Sequence, residues 1–368
     1  MRKKLDHLFF EEYKLSAKTL GIFRIFYGIF TIFILGILDL RVLSTLPNYI
    51  YDPPLLSIAS FTSGYPGYYF FLILSLLIFF LHFFVLFGYK TRVSSILLTV
   101  LSLIGYSFYF SIGKINHGQM VLVWIPLLLG LAGWGRAYSV DSYRYSSKAT
   151  YDVKGWPVFL LVSILVFGMF SAGLPKLMGG WLDPHTHAVR GHFLMRYYVL
   201  NRQGFLAPYF EKLKSSFIWE GMDYTAVIFE LSFLIMLFRK KYLQFYVILG
   251  LIFHILNLLI LNISFIPNIV IYMLLFPYDQ ITKNLDVDYY LKKILNMKTM
   301  VGTSFILAIV FFYGNQQITL SALFKNTVIG GNTFDLLMMI LMLFIYCAGI
   351  AYKYLIPQKY FPTKSFAQ

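Results

Sequence analysis

The stretch FSAGLPKLMGGW, Phe170–Trp181, ends a long apolar run with a proline, a lysine, two glycines and a tryptophan. Lys176 therefore follows a segment that is apolar enough to cross a membrane. A lysine at such a place is costly unless water, lipid headgroups or a specific partner compensates its charge. This stretch alone leaves two interpretations open: the side chain reaches the membrane interface, as lysines at helix ends commonly do, or it belongs to a functional site.

The whole chain has the composition of an integral membrane protein. Of its 368 residues 59% are hydrophobic and 13% are charged, whereas a soluble domain carries about 25% charged residues. A net charge of +15 would suggest nucleic acid as the partner of a soluble protein, but basic cytoplasmic segments account for it in a membrane protein. We therefore expect the lipid bilayer as a partner and no nucleic acid. The one cysteine, Cys347, allows no intramolecular disulfide.

Apolar runs dominate the chain and predict an all-α, polytopic transmembrane bundle of about ten spans. They lack the alternation of a membrane β-barrel, and most approach the roughly 20 residues that a spanning helix needs. With the N-terminus placed inside, every inner connecting segment is basic, so both termini are predicted to be cytoplasmic. The first residues are too charged for a cleavable signal peptide, so we expect the first run to stay as an anchor. The runs lie at residues 20–38, 67–87, 94–112, 118–134, 157–174, 223–238, 243–260, 264–276, 299–313 and 333–352.

The longest outer connection, residues 175–222, is rich in aromatic residues and leucine. Long connections in compact proteins are usually functional or disordered, and this composition favours ordered amphipathic helices over the bundle. Three histidines in it, His185, His187 and His192, could suggest a metal site. Their spacing does not match a helical zinc motif, so we expect no metal.

Ionisable residues inside the predicted spans are functional candidates, because burying them costs several kcal/mol unless they are paired. His82, beside two phenylalanines, is expected to be a packing residue. Arg24 is expected to bind backbone carbonyls or a buried acid, for which Glu230 is the candidate. Glu230 is equally compatible with a structural ion pair and with a site. The remaining polar residues fall in the outer half of the bundle with Lys176; they are His117, His254, Asn257 and Asn262.

Four stretches, in this order and with similar spacing, resemble the membrane part of the vitamin K-dependent gamma-glutamyl carboxylase and the wider HTTM (horizontally transferred transmembrane domain) family. The resemblance covers roughly residues 15–280, and the region 281–368 is predicted to add further spans and a basic tail to the carboxylase-like domain at 1–280. The stretches are GIFRIFYG at 21–28, Asn116-His117 with RAYSVD at 136–141, AGLPKL at 172–177 with Trp181 and Asp183, and FHILN at 253–257.

The resemblance implies an enzyme of the carbon–carbon lyase class in a bacterial inner membrane. Lys176 would be the base acting on a vitamin K-type hydroquinone such as menaquinol. The reduced quinone and oxygen would then drive carboxylation of a glutamate in a peptide at the extracytoplasmic side, with His117 beside the glutamate chemistry. An apolar helix end suits a lysine base, because desolvation favours its neutral form. The predicted set for the isoprenoid quinone comprises His254, Asn257, Glu230 and Trp181.

Two differences from the carboxylase keep other functions open. The animal enzyme has a large soluble C-terminal domain that this sequence lacks, and Pro175 stands where the carboxylase has a second lysine. The chain could instead be a non-enzymatic accessory for maturation or export of a peptide, as in toxin-processing HTTM proteins. It could also be a quinone- or lipid-binding subunit of a redox assembly.

Overall fold

The computed structural model describes residues 2–113, 115–144, 153–283, 285–313 and 331–355. Within these ranges every regular element is a helix, as the apolar runs predicted. Ten helices coincide with the ten runs. They are α1 (Ala17–Ile29, continued by a π-helical segment, Phe30–Leu35), α2 (Tyr68–Phe87), α3 (Thr91–Tyr109), α4 (His117–Ala132), α5 (Trp156–Met178), α6 (Ser216–Met236), α7 (Lys240–Leu261), α8 (Ile266–Tyr272), α9 (Met297–Tyr313) and α10 (Gly331–Leu355).

Shorter helical segments connect these ten. Most are single turns at the two ends of the bundle, where the chain reverses direction. The α-helical ones are Arg2–His7, Val140–Arg144, Ala188–Leu194, Ala207–Glu211, Tyr278–Thr282 and Val287–Ile294. The π-helical and 3-10 segments are Leu8–Glu12, Arg41–Thr45, Asn48–Ile50, Ile58–Phe61, Phe110–Ile112, Met195–Val199 and Met273–Leu275.

Six helices in the described part of the chain are long and apolar enough to cross a membrane: α1, α2, α3, α5, α7 and α10. A seventh span results if Val287–Ile294 and α9, which meet at an angle of 57°, are counted as one. The apolar helices Gly118–Ala132 and Ile266–Leu275 are shorter, and α6 carries three acidic residues, Glu220, Asp223 and Glu230. The protein is a multi-pass membrane protein, and its ten spans and the side of each terminus stay predictions.

Arg24 holds one end of the bundle together. It is fully buried, and its guanidinium donates to the backbone carbonyls of Trp134, at 3.0 Å, and of Tyr138. A side chain at Gly21 would meet the Ala137 carbonyl oxygen at 2.6 Å, so glycine is needed for this approach. The expectation of backbone carbonyl partners for Arg24 is confirmed. The alternative that Glu230 is its acid is wrong, because Glu230 pairs with a residue of α5.

Helix α5 crosses from this end to the other. Its start lies beside the end of α4, where Lys154 N donates to the carbonyl of Ala132 at 3.1 Å. Its 23 residues extend over roughly 33 Å at 1.5 Å per residue. Lys176 and the start of α4 are therefore at the end of the bundle opposite to Arg24.

The connection after α5 is ordered in short helices, as predicted for residues 175–222. A small apolar core packs it against α7; this core is made of Val189, Phe193, Ala207 and Trp219 with Ile260 of α7. Asp223 of α6 is fully buried and accepts hydrogen bonds from the backbone N–H groups of Ala188 and Val189, at 2.9 and 2.6 Å. These bonds satisfy free N–H groups at the start of a short helix and fix the connection, the outer segment, to the bundle.

His82 has a hydrogen-bond partner within its own helix. Its Nδ1 lies 2.9 Å from the carbonyl oxygen of Ile78, four residues earlier. That His82 is a packing residue stays a prediction.

Candidate functional site

The candidate site lies where α5 and α6 pack closely against each other. A Cβ atom at Gly173 would lie 3.0 Å from the Cβ of Glu230 and 3.1 Å from Cγ of Leu231. That spacing is tighter than ordinary van der Waals contact, so glycine lets the two helices pack closely here. Lys176 lies three residues further along α5, hence on the same face as Gly173. The small residue thus brings the lysine alongside Glu230.

Lys176 and Glu230 form an ion pair with two hydrogen bonds. Lys176 Nζ donates to Glu230 Oε1 at 2.5 Å and to Oε2 at 2.6 Å. The Glu230 side chain is 6% exposed and that of Lys176 24% exposed. An ammonium in the last turn of α5 also interacts favourably with the negative end of the helix dipole. The lysine therefore neither extends to the membrane interface nor has a free amine. It is paired with a carboxylate, and the two groups together can hold and move a proton.

The chain turns back directly after Lys176. Helix α5 continues through Pro175 to Met178, four residues beyond the apolar run, so Lys176 lies within the helix and not after it. Gly180, with a φ of 75°, allows the turn, and Trp181 N donates to the carbonyl of Lys176 at 3.1 Å. The turn places the Trp181 ring centroid 5.0 Å from Lys176 Nζ, within the range of a cation–π contact.

The pair lies in the wall of a cavity of about 680 Å³ between α5, α6, α7 and the outer segment. Most of the wall is apolar. Ile218 and Leu256 line it and are also exposed, by 43% and 46%, as are the polar lining residues His192 and Thr225, so the cavity reaches the surface beside both apolar and polar side chains. Its further apolar residues include Phe210, Phe253 and Phe265, and its polar residues are Lys176, Trp181, His192, Arg196, Thr225, Glu230 and Asn257.

Four of the six predicted site residues line this cavity: Lys176, Glu230, Asn257 and Trp181. Asn257 donates from Nδ2 to the carbonyl of Phe253 at 2.8 Å. For His117, the structure describes the backbone at the start of α4, and the side chain is outside the described part of the chain. The predicted contact between His117 and Lys176 is therefore untested.

His254 lies one layer behind the cavity wall. Its ring stacks on Phe265, a lining residue, with centroids 4.4 Å apart, and its Nε2 is 2.9 Å from the hydroxyl oxygen of Tyr272. Asn268 approaches the same Nε2 at 3.5 Å, and its Oδ1 would be 3.2 Å from a Cβ at Gly118. His254 thus links α7 to α8 and to the start of α4, and it contacts the cavity wall through the rings of Phe265 and Phe253.

Two polar residues of the outer segment line the cavity without having been predicted as ligand-binding residues. His192 entered the sequence argument only as a member of the three histidines, and Arg196 did not enter it. Their signal is their spacing, since residues four apart share a helix face. The Trp181 and His192 ring centroids are 5.5 Å apart.

The three histidines of the outer segment do not form a cluster. His187 Nδ1 lies 2.7 Å from Glu220 Oε1, while His192 faces Trp181. Among the residues that the structure describes, no three His, Cys, Asp or Glu side chains are grouped as metal ligands.

Fold and site together define a helical, multi-pass membrane protein with one acid–base pair in the wall of a mostly apolar cavity. Residues 13–280 match the family model of the HTTM domain, which covers most of the chain. The protein therefore belongs to the HTTM family, and it is related to the membrane part of the vitamin K-dependent carboxylase, as its sequence motifs predicted. No curated protein and no solved structure matches the chain. Family membership does not by itself identify a reaction.

Proposed function

We propose that the protein is a membrane enzyme that resembles the vitamin K-dependent carboxylase and acts on a reduced quinone in this cavity. The observation that carries the proposal is the Lys176–Glu230 pair in the wall of an apolar cavity. Charged groups in such surroundings are costly, and a few polar groups in a mostly apolar pocket are typical of binding and active sites. We further propose a bacterial inner membrane as its location.

The residues of the cavity fit an aromatic diol with an apolar tail. A volume of about 680 Å³ is within the range of small-molecule sites, roughly 300–1,000 Å³. Phe253 and Phe265 offer apolar ring surfaces for a fused aromatic system. The exposed apolar residues Ile218 and Leu256 lie where an isoprenoid tail would leave toward lipid. The ion pair supplies the polar groups that a ring hydroxyl requires.

In this site the proton acceptor is the pair and not Lys176 alone. The Lys176 ammonium has no free electron pair while it donates to Glu230. A proton taken from a ring hydroxyl would therefore end on the carboxylate, and the adjacent ammonium would stabilise the oxygen anion left behind. Trp181, against the ammonium, limits its access to water. When bound, the reduced quinone would react with oxygen and so supply the strong base that removes a proton from glutamate. Carbon dioxide would then add to the deprotonated carbon.

The same cavity supports a second candidate, a quinone- or lipid-binding subunit without turnover. Its apolar wall and lateral opening are features of lipid binding in general. The acid–base pair is the feature that favours an enzyme, because binding an apolar tail requires neither charge.

The test is an assay of the purified protein in lipid nanodiscs. Menaquinol, oxygen, labelled bicarbonate and a blocked glutamyl peptide are added, and quinone epoxide and peptide label are measured. We expect both products, and a loss of roughly 100-fold or more in Lys176→Met and Glu230→Gln, the typical contribution of an acid–base group. Lys212→Met is the matched control, since Lys212 is exposed and does not line the cavity.

Two results contradict the proposal. Wild-type rates in Lys176→Met and Glu230→Gln would remove the pair from the chemistry. Tight menaquinone binding with no epoxide and no label in the wild type would instead assign the cavity to the binding subunit. The accessory function in peptide export predicts neither binding nor turnover.

A further inference from the structure

The cavity holds a cation that the ion pair does not neutralise. Lys176 is compensated by Glu230, but Arg196, which also lines the cavity, has no carboxylate within ion-pair distance among the described residues. Burial, followed by the repulsion of Arg202, lowers the pKa of Arg196, although arginine stays charged under all ordinary conditions. Because its positive charge is not compensated by a carboxylate, Arg196 favours binding of an anion beside it.

Arg196 lines the cavity with two rings, Trp181 and His192, that lie next to the ion pair and to each other. The Trp181 ring lies against the Lys176 ammonium, and His192 lies against Trp181. Arg196 follows His192 by four residues, at the junction of Ala188–Leu194 and the π-helical Met195–Val199. Both residues line the cavity. The cavity wall therefore carries two separate polar groups, the acid–base pair and the Arg196 guanidinium, which one bound ligand could contact.

The guanidinium is suited to one kind of anion in particular. It is planar and presents paired N–H groups that match the two oxygens of a carboxylate. In a mostly apolar cavity a carboxylate is costly to desolvate unless such a partner receives it. A neutral ligand would not compensate the positive charge of the guanidinium. A neutral amide could accept hydrogen bonds from the guanidinium, but weaker ones than a carboxylate.

We infer that Arg196 forms a carboxylate-binding subsite of the cavity, distinct from the Lys176–Glu230 pair. If the proposed function holds, the carboxylate is the glutamate side chain of the peptide, and Arg196 is the residue that selects glutamate over glutamine. The other source of the same chemistry is a fatty acid that enters from the lipid. In both cases Arg196 binds and orients a ligand and takes no part in proton transfer.

The experiment measures binding and not turnover. Dissociation constants are determined for two matched pairs of probes on the protein in nanodiscs of neutral lipid: a blocked Leu-Glu-Leu peptide against Leu-Gln-Leu, and decanoate against decanol. We expect the carboxylate of at least one pair to bind about 10-fold or more tightly than its neutral counterpart, the ratio for a charge-assisted hydrogen bond.

Variants then assign the preference to one side chain. In Arg196→Gln the ratio should fall to about one, and in Arg196→Lys it should be partly kept, because a lysine retains the charge but not the paired geometry. Lys212→Gln is the matched control, since Lys212 is exposed and does not line the cavity, and it should keep the wild-type ratio. Melting temperature and gel filtration show that each variant is folded.

The outcomes separate this inference from the proposed function. A preference that disappears in Arg196→Gln supports the subsite, and the pair of probes that shows it identifies peptide or fatty acid as the source. It does so even if the assay for epoxide and label fails. A ratio near one for both pairs in the wild type, or a ratio unchanged in Arg196→Gln, overturns the inference.

Discussion

At the scale of single residues, the site is governed by how Lys176 and Glu230 compensate each other. The carboxylate is nearly inaccessible to water, and the ammonium is about a quarter exposed. Removing one partner leaves the other without compensation, whereas removing both leaves an apolar wall. The pair is therefore expected to matter more for function than for net stability.

A double-variant cycle tests this expectation. Lys176→Met should lower the free energy of unfolding by about 2 kcal/mol, below the cost for a fully buried pair because Lys176 is partly exposed. Adding Glu230→Leu should restore most of that loss while activity stays abolished. Melting of the purified protein in one detergent measures each step, with Lys212→Met as the unaffected control. A double variant less stable than Lys176→Met would show that the pair is needed for folding itself.

The residue-level prediction from sequence was uneven, for physical reasons. A charge inside an apolar run is visible in sequence, so Lys176 and Glu230 could both be singled out, but their pairing depends on which helices pack together. Arg196 could not be recognised, because a basic residue in a connecting segment is ordinarily solvated. His254 was placed in the right part of the bundle, yet it lies behind rings of the cavity wall.

At the scale of helices, the contact between α5 and α6 determines whether the site exists. Gly173 is a point of close approach between them, and Lys176 is within one turn of it. Gly168, on the same helix, has open space where a side chain would be. A side chain placed at Gly173 would therefore collide with α6, whereas one placed at Gly168 of the same helix would not.

Gly173→Leu should separate α5 from α6 and weaken the ion pair, with loss of activity and a lower melting temperature. The new side chain would have to displace Glu230 and Leu231, since even its Cβ is at 3.0–3.1 Å from them. Gly168→Leu is the matched control. It is the same substitution at a position with no neighbouring side chain to displace, so activity and melting temperature should be unchanged. Equal behaviour of the two variants would argue against the close approach at Gly173.

Helix positions could be predicted from sequence more reliably than helix ends. The apolar run of α5 ends at residue 174, yet Pro175 is accommodated and the helix ends at Met178, before two glycines. Hydropathy located all ten helices, but a short apolar run does not reveal whether its helix crosses the membrane. Helices α4 and α8 show this limit, as does α6 with its three acidic residues.

At the scale of the whole molecule, the family motifs divide between two ends of the bundle. GIFRIFYG and RAYSVD meet where Arg24 binds the turn after α4, which is a structural role. AGLPKL and FHILN meet around the cavity, which is the candidate site. A resemblance carried by all four motifs therefore combines an architectural signal with a functional one.

Topology is the prediction that belongs to this scale. Ten spans, or six, place both termini on one side, whereas seven place them on opposite sides. We expect both to be cytoplasmic. The one native cysteine can be removed as Cys347→Ser, and Lys3→Cys or Lys359→Cys then reports by labelling with a membrane-impermeant thiol reagent in intact cells. Lys212→Cys should be labelled from outside; labelling at only one of the two termini would indicate seven spans.

The lateral opening beside Ile218 and Leu256 determines how binding to this protein has to be expressed. A hydrophobic molecule that reaches the cavity from the bilayer is first concentrated there by partitioning, so the amount of membrane in the sample controls its supply. A constant given per litre of buffer would then change with every preparation. A constant given as mole fraction in lipid should stay the same when vesicles are diluted.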